Sequence, residues 1–360
     1  MNTLGRRIVD FAPGPDNPRN SEGAFIRLRD GRILFVYSRF VGEYGGDEAP
    51  AHIVARYSAD EGETWSGERI LFRREDFGAA NIMSASLLRM QDGALGLFFI
   101  VRMSWYDARL HLFVSHDEGE TFGAGTCCIP GKGYYVTNND RVIRTRSGRI
   151  LVPGNMHRLK NEPSDGIYPA FDERGFGFFF YSDDDGRTWT EAADVLFPPS
   201  NKIAWGIQET GVVELAHGAL WSYSRSTGGA QLQSFSLDDG ETWTDPAPSR
   251  FTSPCSPMQM KRLRDGRLLA VWNPVPSNNV RPFSFSWNRT PLVVAASADE
   301  GKTWSEARYL EDGSEDAGYS YPAVFAETDY VLVAYCAGSR QDGSDLYRLR
   351  IRKLPIEELQ

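Results

Sequence analysis

The residues best suited to chemistry in this chain are arginines, acids and tyrosines that keep fixed distances from a repeated turn. Asp47 and Arg225 each lie 11 residues before the serine that begins one copy of the turn, and Arg289 lies 8 residues before another. Guanidinium groups bind carboxylates through charge-assisted, often bidentate hydrogen bonds. A cluster of arginines in one pocket would therefore collect an anionic small molecule, even though the whole chain carries a net charge of −9.

Three further candidates share a position relative to predicted hairpins. Arg19, Glu209 and Tyr319 lie about 9 to 12 residues before a tight turn, where a strand is expected to begin. If these strands line the centre of a propeller, their first residues meet at one end of its central channel. Residues far apart in the sequence would then share one pocket, as a catalytic site requires.

The turn that sets these distances occurs five times, with the pattern Ser-x-Asp-x-Gly-x-Thr followed by Trp or Phe. Its copies begin at Ser58, Ser115, Ser182, Ser236 and Ser297. Within such a turn, Ser and Asp side chains can bond to backbone groups, and glycine adopts angles that other residues resist. The aromatic residue can pack between sheets. We therefore assign the repeat a structural role.

Tight turns between strand-forming runs alternate with the repeated turn. Asp30-Gly31, for example, precedes the apolar run Ile33 to Tyr37, and five comparable hairpins follow along the chain. Helical periodicity is absent. The sequence therefore predicts an all-β fold, a six-bladed β-propeller that forms a single domain over residues 1–360. The strand Arg6 to Phe11 would complete the last blade, which removes an open sheet edge.

The composition argues against several classes of protein. Hydrophobic residues make up 41% of the chain, enough to bury a core. No Lys/Arg-rich stripe occurs, so we expect no nucleic-acid partner, and no apolar run is long enough to span a membrane. Neither the spacing of cysteines and histidines nor the carboxylates suggest a metal or another cofactor.

The N-terminal segment is charged and lacks the apolar run of a signal peptide, so we expect a cytoplasmic protein. A chain whose leader had been removed would have the same sequence, which leaves secretion or the periplasm open. The sequence does not determine the oligomeric state.

Five such turns between such hairpins resemble the Asp boxes of the sialidases (neuraminidases), across essentially the whole chain. Members of that family cleave a terminal ulosonic acid with retention of configuration. The resemblance implies an arginine triad on the sugar carboxylate, a tyrosine nucleophile activated by a glutamate, and an aspartate acid/base. A neutral phenol suits this substrate, because the carboxylate beside the anomeric carbon would repel a carboxylate nucleophile.

The resemblance gives each candidate a role. Four arginines match family positions that bind the substrate, and three other residues match the catalytic positions. The substrate-binding residues would be Arg19, Arg225, Arg289 and Arg39. The catalytic residues would be Tyr319 as nucleophile, Glu209 as its base and Asp47 as acid/base. Tyr321 is a rival nucleophile, because it lies two residues from Tyr319 on the same strand face.

The resemblance thus predicts a retaining exo-α-sialidase-like glycosidase whose partner is a glycan with a terminal α-linked sialic or related ulosonic acid. The second blade reads Asn81 to Ser84 where many sialidases carry an aspartate that contacts the N-acyl group, so ulosonic acids other than N-acetylneuraminic acid stay open. Two alternatives also stay open. One is a glycan-binding propeller without catalysis. The other is a glycosidase or lyase on uronic-acid sugars, with extra chemistry from Asn138 to Arg141 and His157.

Overall fold

The protein is described by a computed structural model that covers residues 3–160, 171–275 and 285–359. Within these ranges the chain forms 25 β-strands and two short 3-10 helices, Arg74–Phe77 and Ile356–Leu359. Neither of these described helices is long and apolar enough to cross a membrane. The all-β class expected from the hairpin pattern is confirmed.

The strands follow one another along the chain at short intervals. The first nine are β1 (Arg6–Phe11), β2 (Asn20–Arg27), β3 (Ile33–Phe40), β4 (Ala51–Ser58), β5 (Arg69–Phe72), β6 (Asn81–Arg89), β7 (Leu95–Ser104), β8 (Asp107–Ser115) and β9 (Thr126–Cys127). The next nine are β10 (Tyr134–Val136), β11 (Ile143–Arg144), β12 (Ile150–Leu159), β13 (Phe171–Ser182), β14 (Thr190–Glu191), β15 (Gln208–Glu214), β16 (Leu220–Arg225), β17 (Ala230–Ser236) and β18 (Ala247–Thr252). The last seven are β19 (Gln259–Arg262), β20 (Leu268–Trp272), β21 (Leu292–Ser297), β22 (Arg308–Glu311), β23 (Ser320–Ala326), β24 (Tyr330–Cys336) and β25 (Leu349–Pro355).

The described strands form four four-stranded sheets and one nine-stranded sheet. The four smaller sheets have the orders β2-β3-β4-β5, β15-β16-β17-β18, β19-β20-β21-β22 and β1-β25-β24-β23. The larger sheet has the order β6-β7-β8-β10-β12-β13-β14, with β9 on β8 and β11 on β12. Its two halves meet at a single parallel pairing, that of Ala108 in β8 with Tyr134 in β10.

The last sheet contains strands from both ends of the chain. β1 pairs antiparallel with β25, from Arg6 opposite Lys353 to Phe11 opposite Leu349. An ion pair reinforces this pairing, since the Arg350 Nε atom donates to Asp10 Oδ1 at 2.7 Å. The prediction that the N-terminal strand completes the last sheet is confirmed, and the edge of β25 is covered.

The repeated turns are built from the same hydrogen bonds in all five copies. In the first copy, Ser58 Oγ accepts a bond from the Gly62 amide at 2.8 Å, and Asp60 Oδ1 accepts one from the Thr64 amide at 2.9 Å. The other four copies contain both bonds. The bonds from Thr64 lower the pKa of Asp60 to about 2. These polar side chains are therefore used to hold the turn.

Apolar residues fill the spaces between neighbouring sheets. One core cluster joins Phe25 and Phe35 of the first sheet to Phe325 and Leu332 of the last. Burial of such a side chain contributes about 1.5–3 kcal/mol. The first strands of adjacent sheets also touch, because β2 contacts β6 and β23, while β19 contacts β15 and β23. These strands surround a common centre.

Five residues near this centre have left-handed backbone angles that non-glycine residues rarely adopt. They are Glu22, Ser84, Asp140, Glu209 and Tyr321, with φ values between 51° and 66°. At four of them, all except Asp140, the strand pairing also shifts register. Such bulges redirect side chains and are common beside active sites. Since each strained residue costs about 1–3 kcal/mol, the surrounding fold must hold it in place.

Candidate active site

A cavity of about 710 Å³ lies where these bulges meet. All four bulge residues line it: Glu22, Ser84, Glu209 and Tyr321. Three residues expected at a catalytic site line it as well: Asp47, Arg225 and Arg289. A cavity of this volume suits a small ligand, and a few convergent polar groups in its wall would orient that ligand.

A hydrogen-bonded cluster of Tyr321, Glu209 and Arg225 forms one wall of the cavity. The Tyr321 hydroxyl donates to Glu209 Oε1 at 3.1 Å, and Arg225 Nη1 donates to the same oxygen at 2.8 Å. The side chains of Arg225 and Glu209 are only 8% and 9% exposed. Glu209 Oε2 is buried and has no hydrogen-bond partner in the described part of the chain. One acceptor atom of this carboxylate is therefore unused.

The environment of Tyr321 determines its protonation. Burial first, and the Glu209 carboxylate second, raise the pKa of the phenol far above its usual value, whereas Arg225 and Arg289 act in the opposite direction. The phenol is therefore neutral in the resting protein, and it becomes a strong nucleophile only if its proton passes to a base. Glu209 already accepts the hydrogen bond, so it is the group placed to take this proton.

Arg289 lies over the ring of Tyr321, with its guanidinium carbon 5.5 Å from the ring centroid. Its ion pair within the described residues joins Nη1 to Asp345 Oδ2 at 3.4 Å. Arg289 Nε is buried and has no partner among those residues. Arg225 and Arg289 thus present two guanidinium groups beside the same phenol, an arrangement suited to a ligand carboxylate.

Asp47 enters the cavity from the loop between β3 and β4, where Arg19 holds it. Arg19 Nη1 donates to Asp47 Oδ1 at 2.6 Å, and Arg19 Nη2 donates to Glu22 Oε1 at 3.0 Å. Burial acts to raise the pKa of Asp47, but Arg19, Arg102 and Arg289 together hold it below its usual value. The Asp47 side chain is still 63% exposed, so a ligand can reach it.

Glu22 is the second carboxyl group on Arg19. Its Oε2 atom accepts a hydrogen bond from Ser84 Oγ at 2.6 Å. Burial raises the pKa of Glu22 to about 7, against the opposing effect of Arg19. Near neutral pH, Asp47 is therefore ionised while Glu22 is partly protonated, although both carboxyl groups contact the same guanidinium.

Comparison with protein families places this chain among known relatives. A family profile described as "BNR repeat-like domain" matches residues 31–333, most of the chain. The chain belongs to the BNR repeat-like family. The comparison of this BNR repeat protein with curated proteins gave no significant match.

Solved structures share the fold of this BNR repeat protein. The intramolecular trans-sialidase from Ruminococcus gnavus superposes with a TM-score of 0.70 at 14% identity, over 99% of this chain and 98% of that one. The NanB sialidase from Streptococcus pneumoniae gives a TM-score of 0.71 at 13% identity, over 100% of this chain and 72% of that one. A protein of unknown function from Dyadobacter fermentans gives 0.71 at 17% identity, over 97% and 99% of the two chains. At these identities the likeness establishes the fold alone.

The structure separates the two tyrosines that compete for the role of nucleophile. Tyr321 lines the cavity, whereas Tyr319 lies in a core cluster with its ring 6.3 Å from that of Tyr335. Burial, followed by the Glu311 carboxylate, raises the pKa of Tyr319 to about 12. The expectation that Tyr319 and Tyr321 share a strand face is wrong, because the bulge in β23 breaks the alternation that places residues two apart on one face. Tyr319 as nucleophile stays a prediction, although its ring does not line the cavity.

Two arginines expected to bind substrate do not line the cavity. Arg19 is fully buried, and its donors are used by Asp47, Glu22, Ser21 and the Gly45 carbonyl oxygen. Arg39 instead forms an ion pair with Glu68, with Arg39 Nε and Glu68 Oε1 3.1 Å apart. Neither guanidinium is therefore presented to the cavity, unlike those of Arg225 and Arg289, which pair with carboxylates but also line it. Contact of Arg19 or Arg39 with a substrate carboxylate stays a prediction.

Two cavity residues, Arg102 and Asp345, had no place in the sequence analysis. Arg102 ends its pairing opposite Asn81, the first residue of β6, just as Arg225 lies opposite Gln208, the first residue of β15. This shared register position could have indicated Arg102. The distances from the repeated turns do not contain this information. Asp345 follows β24 in an irregular segment, and no repeat marks it.

A polar wall supports the strained backbone of Glu209. The Glu209 amide donates to Asn155 Oδ1 at 2.8 Å, and Asn155 Nδ2 lies 3.0 Å from His157 Nε2. Burial lowers the pKa of His157, so its ring is neutral near pH 7. Within the described ranges, no group of three or more His, Cys, Asp or Glu side chains is placed to hold a metal ion.

Proposed function

We propose that this BNR repeat protein is a retaining exo-glycosidase that hydrolyses a terminal α-linked sialic acid or a related ulosonic acid. Tyr321 is the nucleophile, Glu209 is its base and Asp47 is the acid/base. The observation that carries the proposal is the 3.1 Å hydrogen bond from Tyr321 to Glu209 in a cavity that also contains Asp47.

Arg225 and Arg289 bind the substrate carboxylate in this proposal. Both line the cavity and lie beside Tyr321, with Arg225 Nη1 3.4 Å from the hydroxyl oxygen. A carboxylate bound there sits next to the phenol, so the anomeric carbon that bears it comes within reach of the Tyr321 oxygen. Arg19, whose donors are occupied, instead positions Asp47.

The reaction proceeds in two steps with conserved atoms and charges. Tyr321 attacks the anomeric carbon while Glu209 takes the phenol proton, and Asp47 protonates the oxygen of the leaving group as its bond breaks. Water then attacks the anomeric carbon and gives one proton to Asp47, while the bond from that carbon to the Tyr321 oxygen breaks and Glu209 returns its proton to this oxygen. Two displacements at one carbon retain its configuration.

Asp47 must be protonated when the first step begins. In the unliganded protein the nearby arginines lower its pKa, so the carboxylate form prevails near neutral pH. A substrate carboxylate on Arg289 offsets part of that positive charge and shifts the pKa of Asp47 upward. We therefore expect an activity optimum on the acidic side of neutrality.

We also infer that the sheets form a six-bladed propeller. The nine-stranded sheet consists of two antiparallel units, β6 to β9 and β10 to β14, that meet only at the parallel pairing of Ala108 with Tyr134. Counting these units as separate blades gives six, in line with the six hairpins of the sequence. An experimental structure of the full chain tests the count directly.

The test of function uses the two tyrosines as a matched pair. Release of 4-methylumbelliferone from its N-acetylneuraminic acid α-glycoside is measured for the wild type, Tyr321→Phe and Tyr319→Phe. We expect Tyr321→Phe to lose activity by at least about 100-fold and Tyr319→Phe to retain most of it. Both variants lose one hydroxyl group, so a general effect on folding cannot produce this difference.

Other outcomes redirect the proposal. Loss of activity only in Tyr319→Phe overturns the assignment of the nucleophile. No hydrolysis of several ulosonosides by a folded wild type overturns the glycosidase proposal and favours a glycan-binding propeller. A product that absorbs in the ultraviolet, released from uronic-acid glycans, indicates lyase chemistry instead.

A further inference from the structure

Arg102 is a buried arginine that lines the cavity without an ion pair in the described part of the chain. It is 4% exposed. Its Nη2 atom donates to the Asp47 carbonyl oxygen at 2.9 Å, and its guanidinium carbon lies 5.0 Å from the ring centroid of Trp105. The Tyr134 side chain also bonds to this guanidinium, and the Asp47 carboxylate acts on it from a longer distance. These groups stabilise a cation only partly, and a buried charge is costly unless an anion pairs with it directly.

Comparison with two equivalent arginines sharpens this point. Arg39, Arg102 and Arg225 lie opposite the first residues of β2, β6 and β15, respectively. Arg39 pairs with Glu68, with 3.1 Å between Nε and Oε1, and Arg225 pairs with Glu209. Among these three, only Arg102 has no carboxylate partner in the described residues. Arg102 also lines the cavity, as Arg225 does and Arg39 does not.

A second polar group in the cavity wall also awaits a ligand. Asn138 lines the cavity and is buried, and its Nδ2 atom has no hydrogen-bond partner among the described residues. Its Oδ1 atom accepts a bond from the Asn139 amide at 2.8 Å, which fixes the amide so that it presents a donor. The cavity wall thus offers an unused N–H donor as well as a cation without a direct ion pair among the described residues, and both suit a negatively charged acceptor.

The contact with Asp47 indicates which part of a substrate Arg102 meets. Arg102 bonds to the main chain of the residue that protonates the leaving group in the proposed reaction. Its guanidinium therefore lies on the Asp47 side of the cavity, whereas Arg225 and Arg289 lie against Tyr321. A group on the leaving part of the substrate would approach Arg102.

We propose that Arg102 forms a second anion subsite, which selects glycans whose leaving sugar carries a carboxylate of its own. This inference rests on the proposed function and names its substrate class: a terminal ulosonic acid linked to an acidic sugar. The planar guanidinium can form paired hydrogen bonds with a carboxylate. A neutral leaving group would leave this buried cation without an anion, so the subsite selects against such substrates.

The experiment compares two glycans with the same terminal sugar. One is the α2,8-linked dimer of N-acetylneuraminic acid, whose leaving group is anionic, and the other is 3′-sialyllactose, whose leaving group is neutral. The ratio of kcat/KM for the dimer to that for sialyllactose is measured in the wild type, Arg102→Gln and Arg102→Lys. Arg29→Gln is the control, because Arg29 is exposed, lies outside the cavity and carries the same charge.

We expect the wild type to prefer the dimer and Arg102→Gln to lower the ratio at least about tenfold. Arg102→Lys should keep part of the preference, and Arg29→Gln should keep all of it. If Arg102 acted only through the pKa of Asp47, both substrates would slow equally and the ratio would not change. An unchanged ratio in Arg102→Gln overturns the proposal.

Binding separates this inference from the proposed catalysis. Calorimetric titration of Tyr321→Phe with the two glycans should show tighter binding of the dimer, and adding Arg102→Gln should remove that preference. This result supports the subsite even if the wild type cleaves neither glycan. Equal affinity of Tyr321→Phe for both glycans, or binding of neither, overturns the subsite.

Discussion

Asp140 and Glu209 occupy the same kind of strained backbone position, with φ values of 56° and 51°, yet their carboxylates have opposite surroundings. Asp140 accepts hydrogen bonds from Lys261 Nζ at 2.7 Å, Gln259 Nε2 at 2.8 Å and the Val324 amide at 3.0 Å. Glu209 has both of its side-chain bonds on one oxygen, while its other oxygen has no partner in the described residues. The left-handed residue delivers a side chain to the centre of the molecule. The number of hydrogen-bond donors around the carboxylate then decides whether it links neighbouring sheets or keeps an oxygen available for chemistry.

The largest expected effect comes from changing the available carboxylate. Glu209→Gln keeps the size of the side chain but removes the base, so we expect activity to fall by about 100- to 10,000-fold. Rates of 4-methylumbelliferone release at saturating substrate measure this loss. Activity within tenfold of the wild type would contradict the distinction between the two carboxylates.

The reverse pattern is expected for Asp140→Asn. The amide cannot accept from all three donors that point at it, and Lys261 loses its ion pair, so the free energy of unfolding should fall by about 3–5 kcal/mol. Because Asp140 does not line the cavity, the folded variant should keep kcat within about tenfold of the wild-type value. Urea denaturation gives the stability, and the activity per folded molecule is the control.

Glu22 allows a test with a smaller expected effect, because it shares one feature with Glu209 and another with Asp140. It lines the cavity like Glu209, yet Arg19 and Ser84 bond to its two oxygens as partners bond to Asp140. Since burial raises the pKa of Glu22 to about 7, the folded protein binds more protons than the unfolded chain between about pH 4.5 and 7. Wild-type stability should therefore fall with rising pH across this range, relative to Glu22→Gln, by up to about 3 kcal/mol.

Denaturation of the wild type and Glu22→Gln at a series of pH values measures this difference. Below about pH 4.5 the two proteins should be similar in stability, because Glu22 is neutral in both the folded and unfolded wild type. A difference that stays constant with pH would show that folding does not shift the pKa of Glu22, and a loss of wild-type stability toward low pH would show that folding lowers it, as for a paired carboxylate. Either result contradicts this prediction.

The elements of the fold could be predicted from the sequence because their signals are local. Glycine in each tight turn, alternating apolar runs and the bonds within the repeated Ser-x-Asp-x-Gly-x-Thr segment all lie within a few residues of one another. The pairing of β1 with β25 was also accessible, since the last sheet lacked a strand and the N-terminal segment had the composition of one. The parallel pairing of Ala108 with Tyr134 carries no such signal, because it depends on how two finished hairpins meet.

The site was predictable only where a residue's direction follows from its register. Glu209, Asp47, Arg225 and Arg289 line the cavity as the family order implies. Tyr321 could not be chosen over Tyr319, because a bulge reverses the facing of side chains and leaves no mark in composition. Two other acidic residues of the cavity, Glu22 and Asp345, are likewise not marked by any repeat in the sequence.

Charge partners account for the arginines that were expected at the cavity but lie outside its lining. Arg19 matched a substrate-binding position, yet Glu22 and Asp47 occupy its donors. Arg39 and Arg102 share a register position, but Glu68 neutralises only the first. Which guanidinium stays free for a ligand depends on contacts between segments far apart in the chain. A pattern of spacings describes one segment at a time and cannot supply this information.

The pairing of β1 with β25 also has a consequence for the order of events during synthesis on the ribosome. Tyr321 lies in β23, in the one sheet whose strands come from both ends of the chain. Residues 6–11 leave the ribosome more than 300 residues before Leu349–Pro355, so their partner strand does not yet exist when they emerge. The nucleophile of the proposed reaction is therefore fixed in place only after Leu349–Pro355 has been made, and chains released before this strand should have a formed core but no working site.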